Sequence, residues 1–343
     1  MDTTPEALYP HNDAAQQSNE QPPTPPPSTL RRIFSGADGL RAGWSLLIFI
    51  AMAFGLGFSI NVILRKLSVP PKPGSEISPL FGIVGEGSSF LLVLLLVWIM
   101  SKIERRPNSV YGLGDSRKLP HFLAGLAWGI ISLSVLILTL LKTGLLVIDH
   151  RLLFGSDILR YGAIWLFGFL LVGLLEEYLN RGYVQYTLTR GLARIYEWAF
   201  KTRHSAALGF WTSALIFSIL FGLGHGKNPG ESPIGLISAG LVSMVFCLSL
   251  WRTGSLWWAI GFHTSWDWGQ SFLYGVADSG TMVQHRLLAT HPVGKPILSG
   301  GSTGPEGSIF ILAVLALAVL IILLTLPRTS EDYVSKLPMH REA

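Results

Sequence analysis

Eight apolar runs of about twenty residues leave this chain one place to fold. They are Gly43–Leu64, Pro79–Met100, Phe122–Leu141, Tyr161 to about Thr189, Ala206–Gly224, Ile234–Trp251, Leu256–Tyr274 and Ser308–Leu326. A helix rises ~1.5 Å per residue, so about twenty residues cross the ~30 Å hydrocarbon core of a bilayer. The expected fold class is all-α: a polytopic membrane protein with about eight transmembrane helices. Composition agrees, since 49% of the 343 residues are hydrophobic and only 14% charged, where a soluble domain carries roughly a quarter charged. The net charge of +5 does not point to nucleic acid, because the basic residues are spread through inter-helical loops. The single cysteine, Cys247, excludes an intramolecular disulfide.

Residues 1–40 are expected to be a disordered, proline-rich cytoplasmic tail with no apolar signal-peptide core. Residues 41–327 form the transmembrane domain, with its motifs within 160–275, and 328–343 a second cytoplasmic tail. When the eight runs alternate across the membrane, 17 of the 26 Lys and Arg fall on the side of the termini, which places both termini in the cytoplasm. Residues 190–201 mix basic and apolar side chains as an interfacial helix does. Many of the 37 glycines lie inside the spans, as expected where helices approach closely in lipid.

The fourth, fifth and seventh runs carry polar groups that each cost at least ~2.5–3.5 kcal/mol inside a bilayer. Glu176, Glu177 and Arg181 follow the apolar run Ile164–Leu175 without a turn signal. Glu177 and Arg181 are four apart with the acid first, the favourable order for a helical ion pair. Glu176 points about 100° away, so Glu177–Arg181 reads as structural and Glu176 as chemical. His225 lies four residues after Phe221, and His263 and Asp267 share one face of the seventh run. Such a His/Asp pair suits metal ligation, tautomer control or donation to an oxyanion. Three polar helices predict one shared site inside the bundle of helices 4, 5 and 7. The residues meet at one depth if each lies about twelve positions from a cytoplasmic helix end. Glu86 reads first as a buried, hydrogen-bonded structural acid and second as a residue lining the cavity. Trp257, Trp258, Trp266 and Trp268 read as packing residues and interface anchors, and Glu306 as an acid at the start of the last span.

Glu-Glu-x-x-x-Arg at 176–181, Phe-x-x-x-His at 221–225 and His-x-x-x-Asp at 263–267 together resemble the three motifs of the CAAX-processing and bacteriocin-processing (CPBP, or Abi) intramembrane proteases. The likeness covers about residues 160–275. The third motif more often ends in Asn; Asp267 cannot donate a hydrogen bond unless protonated, which favours orienting His263 or binding a metal. The resemblance implies hydrolysis of a peptide bond in a membrane-embedded or lipid-modified protein or peptide, in a plasma membrane of the bacterial type. Two versions follow. In the first, Glu176 and His225 activate water while His263 and Asp267 stabilise the transition state. In the second, Glu176, His225, His263 and Asp267 form an oxygen and nitrogen set suited to Zn2+. The other functional classes are a non-catalytic scaffold or immunity protein on the same fold, and a proton-relay transporter, against which the absence of paired half-helix repeats argues.

Overall fold

A computed structural model describes residues 29–36, 39–66, 76–228 and 230–327. The expected proline-rich tail up to residue 28 and the C-terminal tail from 328 lie outside the described residues. In the described part of that first segment, Thr29–Phe34 is a short helix (α1), followed by the two-residue strands β1 (Ser35–Gly36) and β2 (Gly39–Leu40). Trp44 Nε1 donates to the Ile33 carbonyl at 3.2 Å, tying this segment to the first long helix.

The helices that follow are α2 (Ala42–Lys66), α3 (Pro79–Glu104), α4 (Lys118–Lys142), α5 (Ser156–Glu177), α6 (Gln185–Phe200), α7 (Ser205–Gly224), α8 (Pro233–Thr253), α9 (Trp257–Trp268), the short α10 (Pro296–Ser299) and α11 (Ile311–Thr325). Strands β3 (Leu146–Arg151) and β4 (Leu288–Pro292) pair antiparallel in a loop layer. Local chemistry sets several boundaries. Ser78 and Ser232 cap α3 and α8 by accepting the backbone N–H of Phe81 and Gly235, each ahead of a proline in the first turn.

Six helical stretches among the described residues are long and apolar enough to cross a membrane, and large apolar side chains such as Phe54, Phe58 and Leu91 face outward, as lipid requires. The chain is an integral membrane protein of all-α class. The last two expected spans come out shorter. The seventh is α9 with a π-helical turn, Gly269–Leu273, and the eighth is the apolar α11. The seventh differs for a physical reason: Trp258, Ala259, Ile260 and Phe262 are enclosed by protein, so α9 is a core helix inside the bundle.

Glycines let α9 sit there. A Cβ on Gly261 would lie 2.2 Å from the Phe122 carbonyl oxygen, and one on Gly125 would lie 2.1 Å from that of Trp258. Backbone contacts α4 on one side, while Gly173 of α5 faces Ile260 and Thr264 on the other. Gly261→Ala is therefore expected to push α4 and α9 apart, destabilising the protein by ~1–3 kcal/mol as overpacking does; a lowered melting temperature in detergent would show it.

The connections sort onto two faces. On one, β3 pairs with β4, Ile77 bridges Val283, and Ser302 and Thr303 donate to the Gly230 carbonyl. On the other, the Leu256 N–H donates to Gly112 O, Trp257 Nε1 to Leu113 O and Arg252 Nε to Leu326 O. That second face is closed by a buried polar knot: Glu104 accepts from the Tyr183 hydroxyl at 2.8 Å and lies 3.4 Å from Arg106 and 3.6 Å from Arg190.

Candidate active site

The fourth run is one helical rod over 156–200, longer than the expected end near Thr189. It continues through a π-helical turn, Tyr178–Val184, directly after the two glutamates. A second π-helical turn begins two residues after Asp267. Such wide turns are rare and concentrate at functional sites; here one follows each carboxylate-bearing motif. Beyond the first turn, the expected interfacial segment appears as α6, whose Ile195, Trp198 and Phe200 are exposed.

Glu177 is fully buried and Arg181 nearly so, and their side chains meet at 2.6 Å. The guanidinium lies 5.1 Å from the Phe221 ring centre and 5.3 Å from that of Phe246, which stack it from two helices. The phenylalanine of Phe-x-x-x-His thus has a physical role, which is to cover the arginine of the first motif. Glu177 does more than the sequence suggested. Its Oε1 is also 3.1 Å from His263 Nδ1, so the ion pair holds the orientation of a histidine 86 positions away.

With Nδ1 on Glu177, His263 turns Nε2 toward Asp267, 3.4 Å away, and Glu176, 3.9 Å away. Glu176, unlike Glu177, is partly open, and it lines a cavity of about 300 Å³ together with His225, His263 and Asp267. His225 Nδ1 faces the Phe221 carbonyl at 2.8 Å. A carbonyl only accepts, so Nδ1 carries the proton and neutral His225 keeps a free lone pair on Nε2. The four candidate residues thus share one cavity, although they do not lie the expected distance of about twelve positions from the helix ends. His225 caps the end of α7, while Glu176 lies at the penultimate position of α5 and His263 near the middle of α9. The cavity extends from the helices into the loop layer, where Asn228, Asp278 and Thr281 line it.

Two further acids depart from expectation, and a third joins them. Glu86 lines the cavity, and among the described residues it makes no hydrogen bond or ion pair. Glu306 does not start the last span, because its turn, Pro305–Gly307, ends before α11 begins. Its carboxylate accepts from the backbone N–H and hydroxyl of Ser279 and faces the cavity. Asp278 accepts from the Ser271 hydroxyl at 3.2 Å. Burial, and then the Asp267 and Glu306 charges, push the Asp278 carboxyl well above its ordinary range. Burial raises Glu306 too, against the Ser279 hydrogen bonds. Among the tryptophans, Trp258 is core, Trp266 lines the cavity, and Trp257 and Trp268 donate to the carbonyls of Leu113 and Gly162.

Zn2+ would need three or four ligand atoms at ~2.0–2.2 Å from one point. Among the described residues no three His, Cys, Asp or Glu side chains are grouped to hold a metal ion; the set Glu176, His225, His263 and Asp267 is not arranged as such a shell.

The fold and this site define a polytopic helical membrane protein with a carboxylate- and imidazole-lined chamber in its interior. Residues 159–269 match the family model of the type II CAAX prenyl endopeptidases, Rce1-like. The matched span takes in all three motifs, in agreement with the resemblance to the CPBP proteases. No curated protein and no solved structure matches the chain.

Proposed function

We propose that this protein is an intramembrane endopeptidase that hydrolyses a peptide bond of a membrane-embedded or lipid-modified protein or peptide. The observation that carries the reading is the approach of Glu176 to His263 Nε2 on a cavity wall that also presents His225. Glu176 and the free Nε2 of His225 take the proton of a water as it attacks the carbonyl carbon; His263, when doubly protonated, donates from Nε2 to the developing oxyanion. Asp267 and Glu177 orient that imidazole from either side. The proton then passes to the leaving amine. This chemistry uses side chains alone. Both termini are cytoplasmic in this reading.

The lining also bears on the substrate. Among the described residues that line the cavity, Glu86, Glu176, Asp267, Asp278 and Glu306 are acids and none is Lys or Arg, so a free terminal carboxylate would find no cationic partner there besides an imidazolium already engaged with Glu177 and Asp267. An internal segment fits better. A suitable test reconstitutes the purified chain in vesicles with a library of membrane-anchored peptides and reads new termini by mass spectrometry. Cleavage is expected, undiminished after chelation, with no metal bound to the protein. A library left intact under all conditions would favour the scaffold reading.

A further inference from the structure

Resting on that hydrolase reading, we propose that the cavity admits its substrate from the side of the membrane opposite the cytoplasm, and so acts on segments presented at the extracytoplasmic surface. Every lining residue from outside the long helices, among them Ile77, Asn228, Asp278, Thr281 and Glu306, comes from the face where β3 and β4 pair. Among the described residues, none from the connections of the opposite face lines the cavity. Tyr111, Tyr183, Tyr186 and Leu256 fill that face with at most 1% exposure, over the Glu104 knot and the bonds from Leu256 and Trp257 to the 112–113 backbone.

Charge then orients the two faces. The sealed face carries Lys102, Arg105, Arg106, Arg117 and Lys118 in one connection and Arg190, Arg194, Lys201 and Arg203 around the next. The mouth face has fewer basic residues, and one of them, Arg286, is held by Glu76 at 2.6 Å. Short connections rich in Lys and Arg stay in the cytoplasm, so the sealed face is the cytoplasmic one. A tail lipidated in the cytoplasm would meet the closed side of the bundle, whereas a segment on the outer side reaches Glu176 through the loop layer.

Cysteine labelling tests this without reference to activity. The only native thiol, Cys247, is fully buried and serves as a silent background. Asn228→Cys marks the mouth, Asp149→Cys the same face and His204→Cys the sealed face, each in the full chain. Intact cells are treated with a membrane-impermeant maleimide before and after permeabilisation. Asn228→Cys and Asp149→Cys are expected to label in intact cells, and His204→Cys only after permeabilisation. The reverse pattern overturns the orientation. Labelling of Asp149→Cys with a silent Asn228→Cys overturns the open mouth. Either failure leaves the hydrolase reading standing if the vesicle library is still cut, and a correct labelling pattern with an uncut library sinks the hydrolase alone.

Discussion

Glu176→Gln is expected to lower peptide cleavage by ~10²–10⁴-fold, the range contributed by a general base, while the protein purifies and melts as the parent does. The exchange keeps the shape and removes only the capacity to accept a proton. Glu176 suits this test because it is the more open of the two adjacent acids and, unlike Glu177, is not paired with the buried Arg181. Its neighbour supplies the control. Glu177→Gln leaves Arg181 buried beside an uncharged amide and loosens the hold on His263 Nδ1, so it is expected to reduce both the yield of folded protein and the turnover. Rates measured in vesicles beside melting curves in detergent separate the two outcomes. An active Glu176→Gln enzyme would remove the proposed chemistry.

Arg181→Ala is expected to have the largest effect on stability. It strands the Glu177 carboxylate, which is wholly buried, and removing one partner of a buried pair costs ~3–5 kcal/mol. The cost falls on the site as well, since the same carboxylate orients His263. Arg181→Lys restores charge without restoring the planar group that packs between Phe221 and Phe246, so it should recover only part of the loss. Unfolding in detergent, followed by tryptophan fluorescence, measures both variants. An Arg181→Ala protein as stable as the parent would mean that Glu177 finds another partner.

Together these variants divide the first motif into an acid that faces the chamber and an ion pair that holds the chamber's histidine. The division was legible at 176–181 from helical geometry alone, because residues four apart share a face and residues one apart do not. The reach of Glu177 to His263 was not legible, because no local pattern links positions 86 residues apart. Glu86 shows the same limit. An isolated acid between two glycines reads first as a hydrogen-bonded packing residue and only second as a cavity wall, and the placement of α3 against α5 decides for the wall. The role expected of Glu306 failed for a related reason: proximity to an apolar run suggests a helix start, but the chain turns at Pro305–Gly307 to bring the acid onto Ser279.

Hydrophobic run length by itself determined that this chain is a helical membrane protein, since backbone polar groups in lipid must be satisfied within each segment. The three motifs determined which side chains needed a shared, wet interior. Tertiary structure alone decided that α9 is a core helix and that the chamber runs into the loop layer on one face while the other is sealed. The reason is physical: apolar periodicity reports that a residue avoids water, but lipid and protein interior satisfy that demand equally, and only packing distinguishes them.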